Sequence, residues 1–104
     1  MSTFFPDPNG VGAVVGIGTT QCFTVTTSSV QSTAFGANTT MIRLACTQGH
    51  CHFAIGASPT ANLTTSPIIP TNEIEYIKVL PGQKIAVIKD AAITTSTVSV
   101  TELT

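Results

Sequence analysis

The stretch CTQGHCHFAIG, residues 46 to 56, gathers two of the three cysteines and both histidines of a 104-residue chain. Thiolate and imidazole are the usual ligands of tetrahedral zinc, so the first question is whether the four converge on one ion. Both flanks alternate. MIRLACT (41 to 47) sets Ile42, Leu44 and Cys46 against Met41, Arg43 and Ala45. HCHFAIG (50 to 56) sets Cys51, Phe53 and Ile55 against His50, His52 and Ala54. If Gln48-Gly49 is a two-residue hairpin loop, with Gly49 supplying a positive φ, Thr47 faces His50 and Cys46 faces Cys51. Ala45 then faces His52, and Leu44 faces Phe53. Facing residues share a side of the sheet, so the cysteines fall on an apolar stripe and the histidines on the opposite face. A one-residue slip would turn the whole stripe to solvent. The zinc reading fails on geometry, and no metal or cofactor is expected.

Two narrower chemistries remain. A directly opposed Cys46 and Cys51 would hold their Cβ atoms about 4.5–5.5 Å apart, against about 3.5–4.5 Å in a disulfide. Buried free thiols are the expectation in a reducing cytosol, with a strained bridge as the alternative. His50 and His52 share a face some 7 Å apart, which suits a surface or subunit interface better than a metal.

No other constellation points to catalysis. The acids are Asp7, Glu73, Glu75, Asp90 and Glu102, and Glu73 and Glu75 alternate with Ile74 as a solvated strand face would. There is no GxSxG elbow, no HExxH, no Walker loop and no strand-to-helix glycine cradle. With no tryptophan and one tyrosine, an aromatic sugar platform is not evident either. The expectation is a protein that is not an enzyme.

The elements that must carry these residues read as short strands. Alternating runs recur at 22–27, 41–47, 50–56, 73–79, 84–90 and 97–103, with a weaker one at 30–35. No window sustains helical spacing. Pro81-Gly82 suits a type II turn, which matches hairpin twist poorly, so the link is expected either to be longer or to cross between sheets. Residues 56–72 hold three prolines and read as one long loop that Ile68-Ile69 tacks to the body. The fold class is therefore all-β: a small single-domain β-sandwich or jelly-roll-like barrel over residues 21–104. Residues 1–20, with four glycines among Val, Ala and Ile, read either as a flexible leader or as an apolar arm that orders against a partner, and the Phe-Phe pair beside Pro6 favours the arm. Its anchors are Phe4, Phe5, Val14, Val15 and Ile17.

Composition narrows the function class. Charged residues make up 9% of the chain, against roughly 25% in typical domains, while 19 threonines and eight serines fill the polar share. Such a surface has little charge repulsion to keep copies apart. The four cations are scattered and the net charge is −1, so direct nucleic-acid binding, which needs a basic patch, is not expected. The N-terminus lacks the basic region of a signal peptide, and no apolar run is long enough to span a bilayer.

TMIRLACTQGHCHFAIGASPTA, then IPTNEIEYIKVLPGQKIAVIKD and a closing VSVTEL, resemble small virion proteins of tailed bacteriophages, of the capsid decoration or cement type. The likeness covers residues 40 to 103. It implies a β-sandwich made in the host cytoplasm and clamped on the outer capsid surface of an icosahedral head. The implied partners are the major capsid protein and further copies of the chain, as a homo-oligomer with a trimer favoured over a dimer. The arm residues and His50 and His52 are then the candidate capsid or subunit interface. A receptor- or glycan-binding β-module of a tail fibre or tip is the alternative.

Overall fold

The computed structural model describes residues 16–103. Eight strands form: β1 (Ile17–Thr24), β2 (Val30–Gln31), β3 (Met41–Thr47), β4 (Cys51–Gly56), β5 (Ile68–Ile69), β6 (Ile74–Lys78), β7 (Lys84–Ile88) and β8 (Thr97–Leu103). Among the described residues there is no helix. The strands lie in two four-stranded sheets, ordered β1-β8-β3-β6 and β2-β7-β4-β5. All ladders are antiparallel. Within them β1 pairs with β8, β2 with β7, β3 with β6 and β4 with β5. This is one long hairpin wrapped over on itself, the jelly-roll form of the β-sandwich.

The core follows from period-2 alternation. Ile42, Leu44 and Cys46 of β3, Val98 and Val100 of β8, Cys51 of β4, and Ile85 and Val87 of β7 all point between the sheets and are buried. Val25, Phe35, Ile69 and Val79 complete the cluster from strand ends and loops, with Phe23, Phe53, Ile55 and Ile77 packed at its margin.

The Gln48-Gly49 hairpin does not form. β3 pairs with β6 and β8, whereas β4 pairs with β5 and β7, so the link carries the chain from one sheet to the other. Both arrangements bury the same stripe, because alternation specifies which face is apolar and not which sheet the strand joins. The positive φ belongs to Gln48, at 73°. Gly49 is needed for space: a Cβ there would collide with Ile93 Cγ2 and the Thr95 carbonyl. Its carbonyl is also the acceptor that ties the corner together, at 2.8 Å from both Cys46 Sγ and Ser96 Oγ.

The Pro81-Gly82 link does cross between sheets, joining β6 to β7. Gly82 has φ of 83°, and Gln83 N donates to Leu80 O at 3.1 Å, as a type II turn requires. The segment after β4 is tethered rather than loose. Gln31 Nε2 donates to Pro59 O at 2.7 Å, and Ala61 N donates to Ser29 Oγ at 2.9 Å. Ile69 is fully buried in the short strand β5. At the other end, β1 begins at Ile17, so the last residues of the expected arm 1–20 belong to the sandwich.

Candidate interaction surface

The Cys/His stretch separates as the alternation requires. Cys46 and Cys51 are buried, and their sulfurs lie 3.9 Å apart across the core as free thiols. They approach each other because β3 and β4 face one another from opposite sheets, not as neighbours in one ladder. Burial pushes the Cys51 thiol up to about 12, and the adjacent Cys46 sulfur pushes in the same direction, against a smaller opposing effect from Ser96. His50 and His52 are half-buried on the other side of the chain. His52 Nδ1 donates to Ser66 O at 2.9 Å. Among the described residues no group of three or more His, Cys, Asp or Glu side chains is placed to hold a metal ion.

These thiols give a pH-dependent expectation. The folded pKa of Cys51 lies above its ordinary value of 9.0, so between the two the native state holds a proton that the unfolded chain has released. Its contribution is complete below pH 9 and declines as pH rises towards 12. Midpoints of chemical denaturation should fall over that window, and less so in Cys51→Ala once referenced to its own value at neutral pH. Iodoacetamide at neutral pH should label Cys22, which is exposed, and leave Cys46 and Cys51 unmodified until the fold is opened. Labelling of all three in the native state would contradict this burial.

Glu102 belongs to no sequence motif, yet it is the acid that the fold uses. It shares the inward parity of Val98 and Val100 on β8 and is 7% exposed. Its Oε1 accepts from Gly36 N at 2.8 Å and from Thr39 Oγ1 at 2.5 Å. The carboxylate thus pins the loop between β2 and β3 onto the opposite end of the chain. Its two short contacts are spent inside the fold, which makes it a latch and not a reagent. The signal was available in VSVTEL, where Val98, Val100 and Glu102 fall on one face.

What faces outward is sparse in charge and partly apolar. On the outer face of the β1-β8-β3-β6 sheet, Ile17 is 79% exposed, with Ile74 and Tyr76 about half exposed. Ile17 is the only proposed arm anchor that can be placed; Phe4, Phe5, Val14 and Val15 lie outside the described residues. On the other sheet, His52 stands across from Ile68 and Ile88, with Ile68 exposed. His50 and His52 are therefore not brought together with Ile17, because His52 lies in β4 of the other sheet and His50 directly precedes that strand. Between Asp7 and Arg43 the chain carries no charged residue at all, and that span includes the whole of edge strand β1.

The four sheet edges differ. β2 and β5 are two residues long, and β5 is flanked by Pro67 and Pro70. β6 carries Glu75 and Lys78. Short length, proline and charge are ordinary means of blunting an edge, as are bulges. β1 has none of the first three across its eight residues, IGTTQCFT, and its one irregularity is confined to its start, between Ile17 and Thr20. Among protein-family models, curated proteins and solved structures, none matches this chain.

Proposed function

We propose that this chain is a structural virion protein, a capsid decoration or cement protein that binds the outside of an icosahedral phage head and stabilises it by bridging coat subunits. The observation that carries the reading is the surface. Among the described residues the jelly roll satisfies its buried polar side chains internally, and it presents Thr, Ser and isolated apolar side chains where most domains present charge. Jelly rolls serve in capsids and in lectins alike, so the fold does not choose between them. The resemblance of residues 40 to 103 to phage virion proteins supports the capsid. The partner is the major capsid protein, joined by further copies of this chain, and no catalytic step is involved. Docking energy comes from apolar burial by residues 1–15 together with strand pairing, multiplied by valency.

Copy number per particle, read by gel densitometry, tests the reading directly. A cement protein is present in a fixed ratio to the coat, whereas a receptor-binding module of a tail tip is present in a few copies. Deleting residues 1–15 should abolish binding to stripped heads and leave the folded sandwich intact by circular dichroism. Heads without the protein should lose resistance to heat and osmotic shock, and heads of unchanged robustness would overturn the proposal. Exposed Tyr76 is the one feature that favours glycan binding, and retention on a host-surface glycan column, lost in Tyr76→Ala, would establish that reading instead.

A further inference from the structure

We infer that β1 is a self-association edge, at which two copies of this chain pair antiparallel about a twofold axis passing beside Cys22. The inference concerns the isolated protein and does not depend on the virion reading.

Hydrogen-bonding parity shows which backbone groups are available. Val25 N donates to Ser96 O at 2.8 Å, which makes Val25 and Ser96 a hydrogen-bonded pair. In an antiparallel ladder such pairs alternate with non-bonded ones. By the β1-β8 register, Phe23 with Val98 and Gln21 with Val100 are then bonded pairs. Thr20, Cys22 and Thr24 sit at the non-bonded positions opposite Thr101, Ser99 and Thr97. The 3.0 Å contact between the Thr20 and Thr101 hydroxyls fits the closer side chains of such positions. The N–H and C=O groups of Thr20, Cys22 and Thr24 therefore point away from β8, along the outer edge of the sheet. Among the described residues no strand pairs with that edge, and all three side chains are exposed.

The occupant follows from charge and symmetry. An antiparallel edge is complementary to itself, which is the requirement of a twofold interface. An uncharged strand meeting its own copy opposes no like charges. The register also has a preferred centre. Regular pairing with β8 is interrupted between Ile17 and Thr20 and runs unbroken from Thr20 to Thr24. Centring on Cys22 uses that whole run. It sets Thr20 opposite the partner's Thr24, Gln21 opposite the partner's Phe23, and Cys22 opposite its own equivalent. The result is one continuous eight-stranded sheet across two molecules. A twofold at this edge departs from the trimer that the phage resemblance implies.

Sedimentation velocity of the full chain should show a dimer. At a hydrogen-bonded pair the two Cys22 Cα atoms would lie about 5.5 Å apart, within disulfide range. Diamide should then oxidise the two thiols to one disulfide, their protons and electrons passing to the azo reagent. The product should be a cross-linked dimer on a non-reducing gel, absent in Cys22→Ser although that variant still sediments as a dimer. Two double variants read the register. Thr20→Lys with Thr24→Lys opposes lysines at both flanks and should weaken dimerisation about tenfold or more. Thr20→Lys with Thr24→Glu loses the same Thr20–Thr101 contact but opposes unlike charges, and should remain dimeric. A wild-type monomer or trimer, a diamide product independent of Cys22, or equal behaviour of the two double variants would overturn the inference.

Discussion

Replacing Glu102 by alanine should cost about 3–5 kcal/mol and lower the melting temperature by roughly 15–30 °C. The reason is an asymmetry in hydrogen bonding. The carboxylate accepts from Gly36 N and Thr39 Oγ1, and Thr39 is itself buried. Removing the acceptor strands the Thr39 hydroxyl away from water, which costs more than its bond contributes when intact, while the N–H of exposed Gly36 loses a charged acceptor. Hydrogen bonds to a charged acceptor contribute about 1.5–3 kcal/mol each. Glu102→Gln keeps an oxygen where Oε1 stands and should lose about 1–2 kcal/mol only. The gap between the two variants, measured by urea denaturation, is the informative quantity. An alanine variant within about 1 kcal/mol of the parent would mean that the loop between β2 and β3 is not held by this latch.

The second large effect is expected at Gly49. Gly49→Ala places a methyl group against Ile93 Cγ2 and the Thr95 carbonyl. The side chain can rotate, but the backbone oxygen cannot move without dragging the segment that enters β8. Overpacking of this kind typically costs about 1–3 kcal/mol. Displacing the corner would also disturb the bonds that Cys46 and Ser96 make to the Gly49 carbonyl, raising the total to about 3–4 kcal/mol. Gly82→Ala is the comparison. It is strained by its positive φ but meets nothing within 4 Å, so about 1–2 kcal/mol is expected. Equal losses at the two positions would show that the corner yields to the added methyl group and that space does not govern Gly49.

These two residues also mark how far the sequence could be read. Alternation located the buried stripe of β3 and β4 correctly, because a face must be apolar whatever it packs against. The same alternation was silent on sheet membership. A two-residue link looks like a hairpin until Ile93 and Thr95 are found lying over Gly49, and those contacts bridge residues far apart in the chain. The sequence marks β1 only from Cys22 onward, since Gly18 and exposed Ile17 give its first half no inward-outward contrast. Glu102 had the parity of a core residue but the chemistry of a surface one, and its partners at Gly36 and Thr39 carry no local signal. The edge at β1 is legible in hindsight as a missing charge, a feature that acquires meaning only once the strand is known to be an edge.

The wrapped pairing of the strands has a consequence for how the chain reaches this state. β4 with β5 joins residues close in sequence, β3 with β6 spans further, and β2 with β7 further again. β1 with β8 spans nearly the whole described chain. Each pairing that forms first shortens the free loop that the next must close, so entropy favours zipping from the centre of the sequence outward. β1 is then the last strand to dock. Until it does, β8 is itself an open edge, and a β1 supplied by a neighbouring molecule competes with the chain's own. Refolding yield should therefore fall with protein concentration through the slow final phase, and the lost material should be exchanged oligomer rather than unfolded chain.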